Sequence, residues 1–93
     1  MFQTATIRFD SGSLSLPAND PYEREVVFEQ ADSYVRRHGA ASVQLGDVEL
    51  RVTRSRRASS ATCTRCHHPL RAVIFAVAER RFCVRCAEHA ARP

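Results

Sequence analysis

All four cysteines of this 93-residue chain fall in one stretch, CTRCHHPLRAVIFAVAERRFCVRC, as two C-x-x-C pairs with sixteen residues between them. That spacing lies within the range of four-cysteine zinc sites. Each pair forms a tight turn with both sulfurs on one side, and the intervening residues suffice for a hairpin that returns the second pair to the first. Soft thiolates in a tetrahedron suit Zn²⁺, and a closed set of four leaves no coordination position for water or substrate. Cys63, Cys66, Cys83 and Cys86 are therefore the expected ligands of one zinc ion, and the expected role of that ion is structural.

The thiols have three alternative uses. Four cysteines can form two disulfides in three ways, which an oxidising compartment would favour. An iron–sulfur cluster also takes four cysteines, although two plain C-x-x-C turns around a hairpin suit a single metal better. His67, His68 and His89 lie close enough in sequence to replace a cysteine. His67 has a simpler reading, since it follows the first pair where the backbone of a zinc knuckle turns left-handed, a conformation in which histidine is enriched among non-glycine residues.

The N-terminus MFQTATIRFDSG offers neither a basic lead-in nor an apolar run, and no stretch reaches the roughly eighteen apolar residues that span a bilayer. The expected location is the cytoplasm, with no membrane partner. A reducing compartment keeps thiols free or metal-bound, and a small chain short of core area gains from a metal cross-link.

The remaining residues indicate an α+β fold. TATIRF alternates, with Ala5, Ile7 and Phe9 on one face, and Leu14 and Leu16 continue the pattern beyond the DSG turn, so residues 3–16 are expected as a hairpin ended by Pro17. A helix is expected over residues 21–38. Asp20 can cap it, Pro21 suits its first position, Glu23 can bond back to the cap N–H, and Gly39 can close it. Val27, Phe28, Ala31, Tyr34 and Val35 form its apolar stripe, and Tyr34 and His38 are read as structural groups. A second hairpin turns at Gly46-Asp47, pairing Leu45 with Val48 and Val43 with Leu50.

The expected organisation is a ββαββ body over residues 1–53, an Arg/Ser linker over 54–61 and a four-cysteine module over 62–93. Within the module, LRAVIFAVAERRF, rich in β-branched and aromatic residues around Ile74 and Phe75, should form a short hairpin with AERR as its turn, and the alanine-rich tail after Cys86 a short helix. Knuckle, hairpin and ligands at a helix start describe a treble clef or zinc ribbon. The segments CTRCHHPL and RFCVRCAEHA resemble the C-terminal zinc finger of the DksA/TraR group of bacterial RNA-polymerase regulators, and less closely the zinc module of the ClpX unfoldase. The resemblance covers the C-terminal third and implies structural zinc on the four cysteines. DksA-like regulators act through a long coiled coil with acids at its tip, and the expected body has none, so that mechanism is not implied.

Charge divides the chain. Residues 1–50 hold four arginines against eight acids, a balance of −4, whereas residues 51–93 hold ten against Glu79 and Glu88, a balance of +8. Guanidinium groups bind phosphate through paired hydrogen bonds. Arg54, Arg56, Arg57, Arg65, Arg71, Arg80, Arg81 and Arg85, with Arg51 beside them, are the candidate nucleic-acid or partner-binding residues. Since the chain has arginine but no lysine, genomic base composition is an alternative source of the bias. The expected function is a zinc-binding accessory or regulatory protein that binds nucleic acid. The alternative is an adaptor that meets an acidic surface on a larger machine such as RNA polymerase, and an exposed sheet edge could support a homodimer. No catalytic set of residues stands out, and the protein is not expected to be an enzyme.

Overall fold

Alternation and capping place the elements where local chemistry requires them, but one pairing unites what the sequence divides. The computed structural model describes residues 3–54, 62–70 and 72–90. The strands are β1 (Thr4–Phe9), β2 (Gly12–Pro17), β3 (Ala40–Leu45), β4 (Val48–Arg54), β5 (Val73–Val77) and β6 (Arg80–Phe82); the helices are α1 (Pro21–His38) and α2 (Ala87–Ala90). The strands form one antiparallel sheet in the order β2-β1-β3-β4-β5-β6.

In the first hairpin Ala5 pairs with Leu16 and Ile7 with Leu14. Pro17 is the last residue of β2 rather than the residue beyond it, opposite Thr4. An edge strand tolerates proline because its outer N–H has no ladder partner to lose. The second hairpin has the expected register, Leu45 with Val48 and Val43 with Leu50, and Gly46 supplies the positive φ of 61° that the tight turn needs.

Helix α1 begins at an Asp20 cap that accepts from the Glu23 N–H at 2.8 Å. Glu23 reaches one residue further back than a simple capping box predicts and accepts from the Asn19 N–H at 2.9 Å. Asn19 Oδ1 in turn accepts from the Gln3 N–H at 2.6 Å, which joins the helix start to the entry of β1. At the other end Gly39, with φ 100°, donates its N–H to Val35 O at 2.8 Å. Val27, Phe28, Ala31 and Val35 are buried against the sheet. Tyr34 is only half-buried; it stacks between Phe9, at 4.0 Å between ring centroids, and His38, at 4.5 Å.

The sheet does not stop with the body. Strand β5 adds to β4, with Val52 opposite Phe75 and Arg54 opposite Val73, and β6 follows with Phe82 opposite Phe75. Phe28 of α1 meets Phe75 edge-on, at 5.7 Å and 90°. Cys63, Leu70, Val73, Phe75, Phe82 and Cys86 consequently belong to the same core as Ile7, Val43 and Leu50. The β5–β6 hairpin of the cysteine module is thus part of the same sheet as β1 to β4. Of the expected linker, Arg54 is the last residue of β4, and residues 55–61 lie outside the described residues.

Candidate metal centre

Two turns and a hairpin between them bring the four sulfurs together. In the first turn the His67 N–H donates to Cys63 O at 2.9 Å and His67 adopts φ 65°, while the Cys63 N–H donates to His68 O at 2.9 Å. This is the left-handed knuckle position expected of His67. In the second turn the N–H groups of Cys86 and Ala87 both donate to Cys83 O at 3.0 Å, and α2 starts directly behind the last thiol. The β5–β6 hairpin spans the gap. Its turn falls on Ala78 and Glu79, so Arg80 and Arg81 of the expected AERR turn are strand residues. Ala78 takes a positive φ of 52° without being glycine.

The first knuckle also closes the outer edge of β6. The Thr64 N–H donates to Arg81 O at 2.7 Å, and Thr64 Oγ1 accepts from the Arg81 N–H at 3.1 Å. On the other side, Arg24 of α1 meets Glu88 of α2 at 3.3 Å, with each side chain only 16 % exposed, and also donates to Ala18 O at 3.2 Å. The metal-binding segment is therefore held by the sheet, by the core and by a half-buried ion pair.

The Sγ atoms of Cys63, Cys66, Cys83 and Cys86 all lie within 4.8 Å of one another, and those of Cys66 and Cys83 are 3.8 Å apart. A regular tetrahedron of sulfurs at the usual Zn–S length of about 2.3 Å has edges of about 3.8 Å, so the set fits a single ion of that size. All four cysteines are free thiols. Cys63 and Cys86 are buried, and Cys66 and Cys83 partly so. This cluster could hold a metal ion, and its soft, four-sulfur donor set suits zinc.

Protonation reflects the crowding. Burial pushes the Cys63 thiol up, but backbone hydrogen bonds involving Cys66, Cys83 and Arg65, with one from the Cys66 side chain, outweigh it and bring Cys63 down to about 6. Burial raises Cys83 above its ordinary value. For Cys86, burial and then the neighbouring thiols raise it to about 12. Four adjacent sulfurs cannot all ionise without a compensating charge, and a dication supplies that charge.

Among the described residues, the arginines singled out in the sequence lie on several elements. Arg54 donates to Arg36 O at 2.9 Å and so serves the end of α1. Arg80 lies over the Phe82 ring at 5.7 Å. Arg85 lines a cleft of about 500 Å³ with Glu25, Glu29 and Glu88. Arg65 is exposed in the first knuckle, Arg81 is exposed on β6, and Arg56, Arg57 and Arg71 lie outside the described residues. Sequence reasoning overlooked Arg8, whose place on the polar face of β1 was the available signal. Arg8 stands opposite Ser42, and Ser42 opposite Arg51.

No helix among the described residues is long and apolar enough to cross a membrane. No protein-family model matches the chain, and no curated protein or solved structure matches it either. The likeness to DksA/TraR fingers rests on the cysteine spacing and the tail after Cys86, and no family match links the chain to that group.

Proposed function

We propose that this is a zinc-binding accessory protein whose metal is structural and whose arginine-rich half binds nucleic acid through its phosphates. The observation that carries the proposal is the balance of +8 over residues 51–93, with Arg51, Arg65, Arg81 and Arg85 exposed. Four thiolates and one Zn²⁺ contribute about −2, which leaves about +6 on that half when the metal is bound. A charge of that size on a small surface attracts polyanions and makes their affinity depend on salt. The closed sulfur set argues for a structural ion, because an ion with four sulfur ligands has no site left for substrate.

The test is binding of the zinc-loaded protein to labelled DNA and RNA over a salt series. Affinity should be measurable at about 50 mM salt and collapse by about 200 mM. Absence of binding at the lower concentration sinks the reading. A stoichiometric protein partner that survives nuclease treatment would favour the adaptor role instead.

A further inference from the structure

The sheet has two faces, and among the described residues only one is covered by a helix. Residues directly opposite each other on paired strands point to the same side. Successive registers place Ser13 opposite Arg8, Arg8 opposite Ser42, Ser42 opposite Arg51, Arg51 opposite Ala76, and Ala76 opposite Arg81. This row runs across the whole sheet on the face away from α1, since the alternating neighbours Ile7, Val43, Leu50, Val52, Phe75 and Phe82 are the ones in the core. Arginine and small side chains alternate along it. With strands about 4.8 Å apart, the three arginines stand about 10 Å from one another, over about 19 Å in all.

The geometry points to this row as a binding track for the sugar–phosphate backbone of nucleic acid, crossed perpendicular to the strands and read without regard to sequence. The inference rests on the function proposed above and gives it a place. Arg8, Arg51 and Arg81 are all exposed, and among the described residues the ion pairs are Arg24–Glu88 and Arg36–Asp32, so no carboxylate engages the row. Open depressions of about 360 Å³, beside Arg8, Ser42 and Arg51, and of about 330 Å³, beside Arg51 and Ala76, adjoin the row. Asp10 lines the first of these depressions and Glu49 the second, so each holds one carboxylate beside its arginines.

The chemistry of the face selects among polyanions. A protein partner needs an apolar centre to its interface, and among the described residues the apolar side chains on this face are Pro17, Ala40, Ile74 and Ala76, too little to anchor one. Base stacking needs aromatic rings, and the described aromatic residues lie on the core face or on α1. Phosphates recur about every 3.4 Å along each strand of a duplex, so a 19 Å row meets several in any register. The Ser42 hydroxyl between Arg8 and Arg51, and that of Ser13 at the end of the row, add neutral donors to the same oxygens. The row draws on both halves of the chain, and the bonds from Thr64 to Arg81 place its last member under control of the metal knuckle.

The experiment uses full-length, zinc-loaded protein and fluorescence anisotropy with a labelled 20-nucleotide single strand, alone and annealed to its complement. Three phosphate contacts predict a loss of about 20- to 40-fold in affinity between 50 and 200 mM salt. Arg8→Gln, Arg51→Gln and Arg81→Gln should each flatten the log–log salt slope by about 0.7 to 0.9, and the triple variant should lose most of the dependence. Arg37→Gln, on the exposed side of α1, should change neither slope nor affinity, and shuffling the probe sequence should have no effect. Circular dichroism and zinc content confirm that each variant is folded. If the wild type binds and the triple variant binds with the same slope, the track is wrong and the broader function stands. If the wild type does not bind at 50 mM salt, the function itself fails. Competition by polyglutamate but not by unlabelled nucleic acid would overturn the proposal in favour of an acidic protein.

Discussion

Among single residues, the thiols carry the clearest consequences. Cys83 and Cys86 are raised by burial while Cys63 is lowered to about 6, so the metal-free cluster at neutral pH keeps protons on the first two. A metal ion must displace them, and at least two protons leave for each ion bound. Apparent zinc affinity should then fall as pH falls, by at least about 100-fold per unit near neutrality and more steeply once Cys63 also protonates. Competition with a chromophoric chelator at several pH values measures this, and a flat response would show that the thiols are already ionised. Ala78 provides a second test at this scale. An L-residue at φ 52° is strained by about 1 kcal/mol, so Ala78→Gly should leave stability unchanged or raise it by up to about that amount in urea unfolding. The cysteines were legible from spacing alone. The strain at Ala78 was not, because AERR suggests a turn without saying which of its residues turns.

Between elements, the α1–β5 contact decides how the molecule holds together. Phe28 and Phe75 are both buried and meet edge-on at 5.7 Å. Phe75→Ala should cost about 3 to 5 kcal/mol. A double-mutant cycle with Phe28→Ala should return a coupling of about 0.5 to 1.5 kcal/mol. Chemical denaturation of the zinc-loaded protein checks both, and additive losses would mean that the rings pack independently. Helix α1 was readable in sequence because its cap, its first proline and its closing glycine are all local signals. Its buried stripe was readable too, except that Tyr34 stacks at the rim rather than entering the core. The partner of Phe28 could not be read, since nothing local to FEQAD or to VIFAV indicates that these segments meet.

For the whole molecule, metal and fold should be inseparable. Two metal-site cysteines sit in the common core, and the β5–β6 hairpin between the ligand pairs completes the sheet. Chelation should therefore lower the melting temperature of the entire chain as one transition. With zinc at about 1,000 times its dissociation constant the linkage is about 4 kcal/mol, a downward shift on the order of 15 °C or more. Far-UV circular dichroism with and without chelator measures it. A body that melts unchanged after metal removal would show that β1 to β4 and α1 are stable by themselves.

Chain order and local chemistry alone determined the strands of both hairpins, the long helix, the four sulfur ligands and the excess of positive charge in the second half. Those features depend on neighbours a few residues apart, whose alternation, capping and turn chemistry can be read directly. Tertiary structure alone decided that β5 joins β4, that the two parts share one core, and that Arg8, Arg51 and Arg81 fall into a single row. The physical reason is that strand pairing across a long connection depends on which open edge and which apolar face remain uncovered, and those exist only after the rest of the chain has packed.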